Sequence, residues 1–189
     1  MQPEKRLRLP PCFFRPILPF FYEVIEMTDK QVKRLALGGV MAALVFVMTY
    51  LPKVPVPVTG GYVHLGDGMI FLAAMLLGPM GAAAAAVGSA LSDLVGGYMT
   101  YLIPTFLIKG AMALVAWKLY KPGNWLRTAI AFIIAETVMV AGYFAFEAVL
   151  YGVPAALGAV GPNAIQGLAG VIVGLLCYTL VPRLKSIIK

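Results

Sequence analysis

The sequence predicts an all-α integral membrane protein, a bundle of six transmembrane helices with both termini in the cytoplasm. Its 189 residues are 61% hydrophobic and only 12% charged, about half the charged share of roughly 25% in a soluble domain. The apolar residues form long stretches separated by proline, glycine and basic residues. The basic residues lie at the ends of these stretches and, once the chain is threaded through a bilayer, on one side of it.

Residues 1–26 differ from the rest of the chain. They combine a basic cluster and an aromatic patch with five prolines, which forbid a continuous helix: Pro3, Pro10, Pro11, Pro16 and Pro19. A second plausible translation start follows at Met27. We therefore interpret 1–26 as an N-terminal extension, disordered or lying on the membrane surface, and 27–189 as the membrane domain.

Proline, glycine and basic residues bound the six predicted spans. Span one covers about 33–51 and is followed by a shaped loop rich in proline and glycine, 53–62. A charge-free loop, 151–161, is expected before span six. The remaining spans cover about 65–78, 81–97, 104–120, 126–150 and 162–181.

The distribution of lysine and arginine fixes the orientation. With six spans, nine basic residues fall on one side, which we take as cytoplasmic: Lys30, Lys33, Arg34, Lys118, Lys121, Arg127, Arg183, Lys185 and Lys189. The opposite side carries only Lys53, and Lys109 lies inside a span. The net charge of +7 is thus explained by orientation and by contact with anionic lipid, and nucleic acid is not an expected partner.

Polar side chains inside the spans converge on the outer half of the membrane. Asp93, Lys109, Glu147 and the pair Asn163 and Gln166 all fall there when the spans are threaded in order. A charged residue in a span costs about 2.5–3.5 kcal/mol on insertion scales, so repeated burial at one depth predicts a polar pocket that binds a solute. Glu136, nearer the inner half, is the exception.

Lys109 and Asp93 are the first candidates for contact with the solute. The alternative is a buried ion pair between these two residues. The further candidates lie in the first outer loop or near the outer ends of spans: Tyr62, His64, Tyr98, Tyr143, Asn163 and Gln166.

Several of these residues have a structural alternative. The tyrosines also fit an aromatic belt, and Asn163 at the start of span six also fits a helix cap. Glu147, near the outer end of span five, also fits a position at the membrane interface in contact with water.

The chain lacks the signatures of an enzyme. It has no G-x-x-x-x-G-K-[ST] loop, one histidine and two distant cysteines, so neither nucleotide hydrolysis nor a metal site is expected. No serine has a plausible histidine base. We expect no catalysis and no cofactor, and any energy for transport must come from an ion gradient or from other subunits.

Small residues recur four apart in span one. Gly38, Gly39, Ala42 and Ala43 would let another helix approach closely in lipid. Two interpretations remain open, packing within this bundle and docking of another membrane subunit.

Three segments resemble a known family, the substrate-binding S components of energy-coupling factor (ECF) vitamin transporters. The likeness is to the group with the riboflavin and hydroxymethylpyrimidine/pyridoxine S components. The segments are Tyr62-Val63-His64-Leu65-Gly66-Asp67, Gly88-Ser89-Ala90-Leu91-Ser92-Asp93-Leu94 and Pro104-Thr105-Phe106-Leu107-Ile108-Lys109-Gly110.

The resemblance implies a six-helix fold that binds its vitamin near the outer face, under the loop between spans one and two. It also implies docking to a transmembrane T subunit and two cytoplasmic ATPases. The Ala-x-x-x-Ala pattern that the family often shows in span one is replaced here by Gly38-x-x-x-Ala42 and Gly39-x-x-x-Ala43. The competing hypothesis is a self-sufficient, ion-coupled secondary transporter of a small polar solute.

Overall fold

A computed structural model describes residues 29–188. The predicted extension, 1–26, lies outside the described residues, so its interpretation stays a prediction. From Ala36 onward the chain forms one compact unit, which contains the whole site discussed below. The described residues before it, 29–35, form the first turns of the first helix.

The described residues are almost entirely helical, which confirms the predicted all-α class. Six α-helices follow one another, with one β-hairpin after the first and a single 3₁₀ turn, Met99–Tyr101, before the fourth. The elements are α1 (Asp29–Tyr50), β1 (Val54–Val56), β2 (Gly61–Val63), α2 (Asp67–Leu77), α3 (Pro79–Gly96), α4 (Leu102–Leu119), α5 (Trp125–Tyr151) and α6 (Val153–Ile188).

Four stretches within the described residues are long and apolar enough to cross a membrane. They lie in α1, α4, α5 and α6, and α2 is a shorter apolar helix. A membrane helix needs about 20 apolar residues, so the length of α2 explains why it fails this criterion. The chain is therefore an integral membrane protein by length and composition.

Glycine and proline set the tight turns between helices. Gly78 has a φ of +63° between α2 and α3, and Pro79 then occupies the first turn of α3, where its missing N–H is no loss. Gly97 ends α3 with a φ of +81°, and its N–H bonds back to the carbonyls of Asp93 and Leu94. A residue other than glycine at position 78 or 97 would strain the turn, because its Cβ disfavours a positive φ.

The predicted loop 151–161 is wrong, because Tyr151 ends α5 and residues 153–161 belong to α6. The break between α5 and α6 is the single residue Gly152, with a φ of +87°. Pro162, which we took for a helix start, lies inside α6, and membrane helices tolerate such prolines because neighbouring groups satisfy the freed carbonyl. Asn163 is therefore well inside α6, and its interpretation as a cap is also wrong.

The loop after span one contains a short antiparallel hairpin. Val54 pairs with Val63, Pro55 with Tyr62, and Val56 with Gly61. The sequence predicted a shaped loop at this position without its strands. The hairpin places one face of β2 toward the helices, where Gly61 is buried, and this face contributes to the site.

Small residues bring the helices into close contact. A Cβ at Gly38 would lie 2.9 Å from Met80 Cε, and a Cβ at Gly88 in α3 would collide with the carbonyl of Ala42. The Gly38/Ala42 register of α1 therefore packs within this chain. By contrast, Gly39 and Ala43 are exposed, and a Cβ at Gly39 would meet nothing within 4 Å. Packing within the bundle thus accounts for Gly38 and Ala42, and docking of another subunit on α1 stays a prediction.

Candidate ligand-binding site

A small cavity lies between the hairpin and helices α3 to α6. Its volume is about 30 Å³, room for about two water molecules. Six of the predicted site residues line it: Tyr62, His64, Asp93, Tyr143, Asn163 and Gln166. The predicted convergence of separate spans is therefore present in the structure, while binding by these residues remains a prediction.

The first polar pair of the lining joins the hairpin to α3. The Tyr62 hydroxyl donates to Asp93 Oδ1 at 2.5 Å and lies 3.3 Å from Ser92 Oγ. Burial and the nearby Asp93 charge raise the pKa of Tyr62, so its hydroxyl keeps its proton and acts as the donor. Asp93 is only 1% exposed, and its Oδ2 has no hydrogen-bond partner among the described residues.

The second polar pair joins the 3₁₀ turn to α5. The Tyr101 hydroxyl lies 3.1 Å from Glu147 Oε1 and 3.1 Å from the carbonyl oxygen of Thr59. Glu147 is 3% exposed, so the alternative that it sits in water is wrong. Its Oε2 has no partner within the described part of the chain. By hydrogen-bond geometry the cavity thus has one unpaired carboxyl oxygen on each of two helices, with the Thr105 hydroxyl close to Asp93 and the Thr59 hydroxyl close to Glu147.

Tyr98 packs behind the lining rather than in it. Its ring centroid is 4.6 Å from that of Tyr62, and Lys53 Nζ lies 4.1 Å from the Tyr62 ring and 5.0 Å from the Tyr98 ring. Lys53 Nζ also donates to the Ser92 carbonyl at 3.3 Å. Burial lowers the pKa of Lys53. These contacts hold Tyr62 from the side away from the cavity.

Lys109 forms an ion pair with Asp67, not with Asp93. The two side chains are both 0% exposed and lie 2.5 Å apart, so the predicted Asp93–Lys109 pair is wrong. Gln166 Nε2 donates to Asp67 Oδ2 at 2.7 Å, and Gln166 Oε1 accepts from the His64 backbone N–H at 3.0 Å. Lys109 therefore lies outside the cavity lining and is connected to it through Asp67 and Gln166.

His64 is a neutral residue of the lining. Its Nδ1 accepts the Gly66 backbone N–H at 2.9 Å, which places the remaining proton on Nε2. Burial lowers its pKa to about 3. Within residues 29–188 no group of His, Cys, Asp and Glu side chains has the geometry of a metal site. His64 is thus a hydrogen-bonding group.

Sequence reasoning missed part of the site. Asp67, Tyr101 and Thr105 were absent from the candidate set, although Thr105 Oγ1 lies 3.0 Å from the Tyr143 hydroxyl. A periodic signal was present, because Tyr101, Thr105 and Lys109 are four residues apart and fall on one face of a helix. Asp67 carried a weaker signal, as the acidic first residue of an otherwise apolar helix.

Comparison with known proteins identifies the family of this chain. Residues 29–183 match the family model described as ECF-type riboflavin transporter, S component. The chain belongs to this family of S components. Its membership confirms the resemblance seen in three sequence segments and identifies the chain as a multi-pass membrane protein of a transporter rather than a member of an enzyme class.

Two relatives match most of the chain. An uncharacterized protein of Pyrococcus woesei is 36% identical over 148 residues, 77% of this chain and 99% of its own length. The thiamine precursor transporter HmpT of Lactococcus lactis subsp. cremoris (strain MG1363) is 31% identical over 160 residues, 83% of this chain and 92% of its own length. The sequence similarity thus extends over nearly the whole length of each relative.

Two solved structures share the fold. One, from a study of the structure and mechanism of the S component of a bacterial ECF transporter, has a TM-score of 0.60 at 25% identity and covers 84% of this chain and 99% of its own. The other is the S component for biotin from an ECF-type ABC transporter, with a TM-score of 0.63 at 20% identity. The alignment covers 85% of this chain and 95% of that structure's chain. The second likeness concerns the fold alone.

Proposed function

We propose that this chain is the substrate-binding subunit of an ECF-type importer. It captures a water-soluble vitamin or precursor, of the hydroxymethylpyrimidine, pyridoxine or riboflavin class, and delivers it inward with a T subunit and two ATPases. The observation that carries the proposal is the cavity, where buried polar side chains from the hairpin and four helices meet in a chain of the S-component family. Such convergent polar groups are typical of small-molecule sites.

The proposal includes a topology of six membrane helices with both termini in the cytoplasm. The distribution of basic residues supports it, because Lys118, Lys121 and Arg127 surround the α4–α5 connection, which lies at the cytoplasmic end in this orientation. The hairpin and the cavity then face outward. A vitamin therefore reaches the cavity from outside the cell.

Ligand entry requires the lining to move. A cavity of about 30 Å³ is far below the roughly 300–1,000 Å³ of typical ligand sites. The hairpin contributes Val56, Thr59, Gly61 and Tyr62 to the lining. It is tied to α3 by the hydrogen bonds of Tyr62 and to the 3₁₀ turn by the bond from Tyr101 to the Thr59 carbonyl. We expect the hairpin to be the segment that yields, since displacing a helix would expose far more apolar surface.

The T subunit docks on the exposed face of α1. Gly38 and Ala42 pack against α3 within this chain, whereas Gly39 and Ala43 are exposed and four residues apart. Such a pair lets a second helix approach closely in lipid. Gly39→Leu and Ala43→Leu should abolish assembly with the T subunit and leave vitamin binding intact.

Ligand binding by the purified chain without ATP tests the capture role. Small molecules that copurify with the chain, identified by mass spectrometry, should include a vitamin or precursor. Asp93→Ala and Asn163→Ala should weaken its binding, and unchanged affinity in both would argue against this cavity. Gradient-driven uptake into vesicles that contain this chain alone would instead favour the secondary transporter.

A further inference from the structure

Two segments that carry basic side chains meet at one end of the helices. Tyr120, directly after α4, packs edge-on against Tyr178 of α6, with ring centroids 6.2 Å apart. Lys185, two turns further along α6, places Nζ 5.6 Å from the centroid of the same Tyr120 ring. The connection between α4 and α5 and the last turns of α6 are therefore neighbours.

The basic side chains at this end have no acidic counterpart. The four carboxyl side chains of residues 36–188 are all buried in the interior, and within residues 29–188 the one ion pair, Lys109–Asp67, is buried as well. The two segments carry five lysine and arginine residues: Lys118, Lys121, Arg127, Arg183 and Lys185. This end therefore presents positive charge that residues 36–188 do not balance.

The connection between α4 and α5 is held in one conformation. The buried Thr128 hydroxyl donates to the carbonyls of Lys121 at 3.2 Å and Asn124 at 2.9 Å, and Asn124 Oδ1 accepts the Arg127 backbone N–H at 2.9 Å. The backbone of Lys121 is thus fixed against α5 while its side chain is exposed. Lys121 is adjacent in sequence to Tyr120, the ring that Lys185 contacts from α6.

The apolar residues around this end indicate its depth. Trp125 and Leu126, in the first turn of α5, are 65% and 56% exposed, and Leu180 near the end of α6 is 49% exposed. Exposed tryptophans of membrane proteins lie at the level of the lipid headgroups, and exposed leucines beside them contact acyl chains. Lys121 and Lys185 therefore lie where a lipid phosphate would lie.

We propose that this end is a binding site for one anionic phospholipid, whose phosphate lies between Lys121 and Lys185. The general attraction of basic loops to anionic lipid assigns no lipid to particular residues, whereas here two ammonium groups from separate segments flank one tyrosine at headgroup depth. A zwitterionic lipid has the same phosphate but carries its own cation, so it gains less from the two lysines. The site shares no residue with the cavity, and the proposal does not rest on the proposed function.

The chain contains its own reporters for this site. Both of its tryptophans, Trp117 and Trp125, lie near the connection between α4 and α5, and a lipid with brominated acyl chains quenches tryptophan fluorescence on contact. The full chain in a neutral detergent is titrated with dibrominated phosphatidylglycerol, which is anionic, and with dibrominated phosphatidylcholine, which is zwitterionic. Half-maximal quenching should need at least about fivefold less phosphatidylglycerol.

A double variant assigns the preference to residues. Lys121→Gln combined with Lys185→Gln removes both charges from the site and should bring the two lipids to within about twofold of each other. Lys53→Gln is the matched control, because Lys53 is also a lysine held over tyrosine rings but lies beside the hairpin. It should keep the preference of the natural sequence.

The other outcomes overturn the proposal. Equal quenching by the two lipids on the unmodified chain would overturn it even if the double variant failed to fold. A preference that survives the double substitution would show that diffuse charge, rather than a site, attracts the lipid. Displacement of phosphatidylglycerol by millimolar glycerol phosphate would indicate a site for a soluble phosphate. Loss of assembly with the other subunits in the double variant, without any lipid preference in the natural sequence, would make this end a protein interface instead.

Discussion

Two buried polar clusters of this protein differ in how completely their atoms are paired. The pair network consists of Lys109, Asp67, Gln166 and His64, in which the carboxylate oxygens, the Gln166 amide and the His64 Nδ1 all have partners. The cavity cluster consists of the Tyr62–Asp93 and Tyr101–Glu147 pairs, each with one unpaired carboxyl oxygen.

The difference separates a structural role from a binding role. Charges buried in a membrane protein are tolerated when they are paired and hydrogen-bonded, and the pair network meets that requirement without a ligand. The cavity cluster does not meet it, and natural proteins keep such unpaired groups mainly where function needs them. We therefore interpret the pair network as structural and the cavity cluster as the proposed contact with a solute.

Removal of the buried lysine should have the largest effect on stability. Lys109→Ala leaves Asp67 as an uncompensated charge at a site that is 0% exposed, which costs about 3–5 kcal/mol. We expect a clear loss of thermal stability in detergent, followed by the fluorescence of the two tryptophans.

Two controls make that experiment specific to the ion pair. Lys118→Ala removes an exposed lysine from the last turn of the same helix and should change stability little. Lys109→Met combined with Asp67→Asn removes both charges together and should recover at least half of the loss. A Lys109→Ala protein as stable as Lys118→Ala would refute the structural role of the pair network.

Acidification should destabilise the protein through His64, the next largest effect. The ordinary histidine pKa is 6.5 and burial lowers that of His64 to about 3, so below pH 6.5 the unfolded chain takes up a proton that the folded chain does not. The stabilisation is complete above pH 6.5 and is lost as the pH falls toward 3. The loss by pH 5 is about 2 kcal/mol.

The composition of the chain isolates this titration. His64 is the only histidine, and ordinary carboxyl groups titrate mostly below pH 5. Between pH 7 and 5 the unfolding free energy of the natural sequence should fall by about 2 kcal/mol relative to that of His64→Asn, because the buried carboxyl groups titrate alike in the two proteins. Equal slopes for the two proteins would show that His64 is not held neutral by the fold.

The sequence predicted most helices because breaking residues mark their ends. Pro79 and Gly97 bound α3 in the structure as composition suggested. Pro162 misled the prediction of α6, because the same residue starts helices in water and is tolerated inside them in a membrane. Gly152, the actual break, carried no stronger signal than the other glycines nearby.

The convergence of the site residues was predictable, but their pairings were not. Threading placed Asp93, Asn163 and Gln166 at one level, and all three line one cavity. The partner of Lys109 depends on how far α2 and α4 approach each other and on which faces they present, and spacing along one chain contains neither quantity. The pairing of Lys109 with Asp67, 42 positions away, emerged only from the packed structure.

Loss of the Gln166 amide from the pair network should have a smaller effect. Gln166→Leu removes the hydrogen bonds to Asp67 Oδ2 and from the His64 backbone N–H while keeping much of the side-chain volume. Hydrogen bonds between membrane helices average about 0.6 kcal/mol and reach about 1.7, so we expect a loss of about 1–2 kcal/mol. Asn163→Leu, in the preceding turn of α6, is the matched control and should cost less.

Removal of one hydroxyl from the cavity cluster should have the smallest effect on stability and a larger one on binding. Tyr62→Phe breaks the 2.5 Å hydrogen bond to Asp93 at a cost of about 1 kcal/mol, and Asp93, which lines the cavity, then has a second unpaired oxygen. Tyr98→Phe, whose ring lies behind Tyr62, is the control. If the cavity cluster serves a ligand, vitamin affinity should change in Tyr62→Phe while stability hardly does. The reverse result, a large stability loss with unchanged affinity, would mean that this cluster is structural like the pair network.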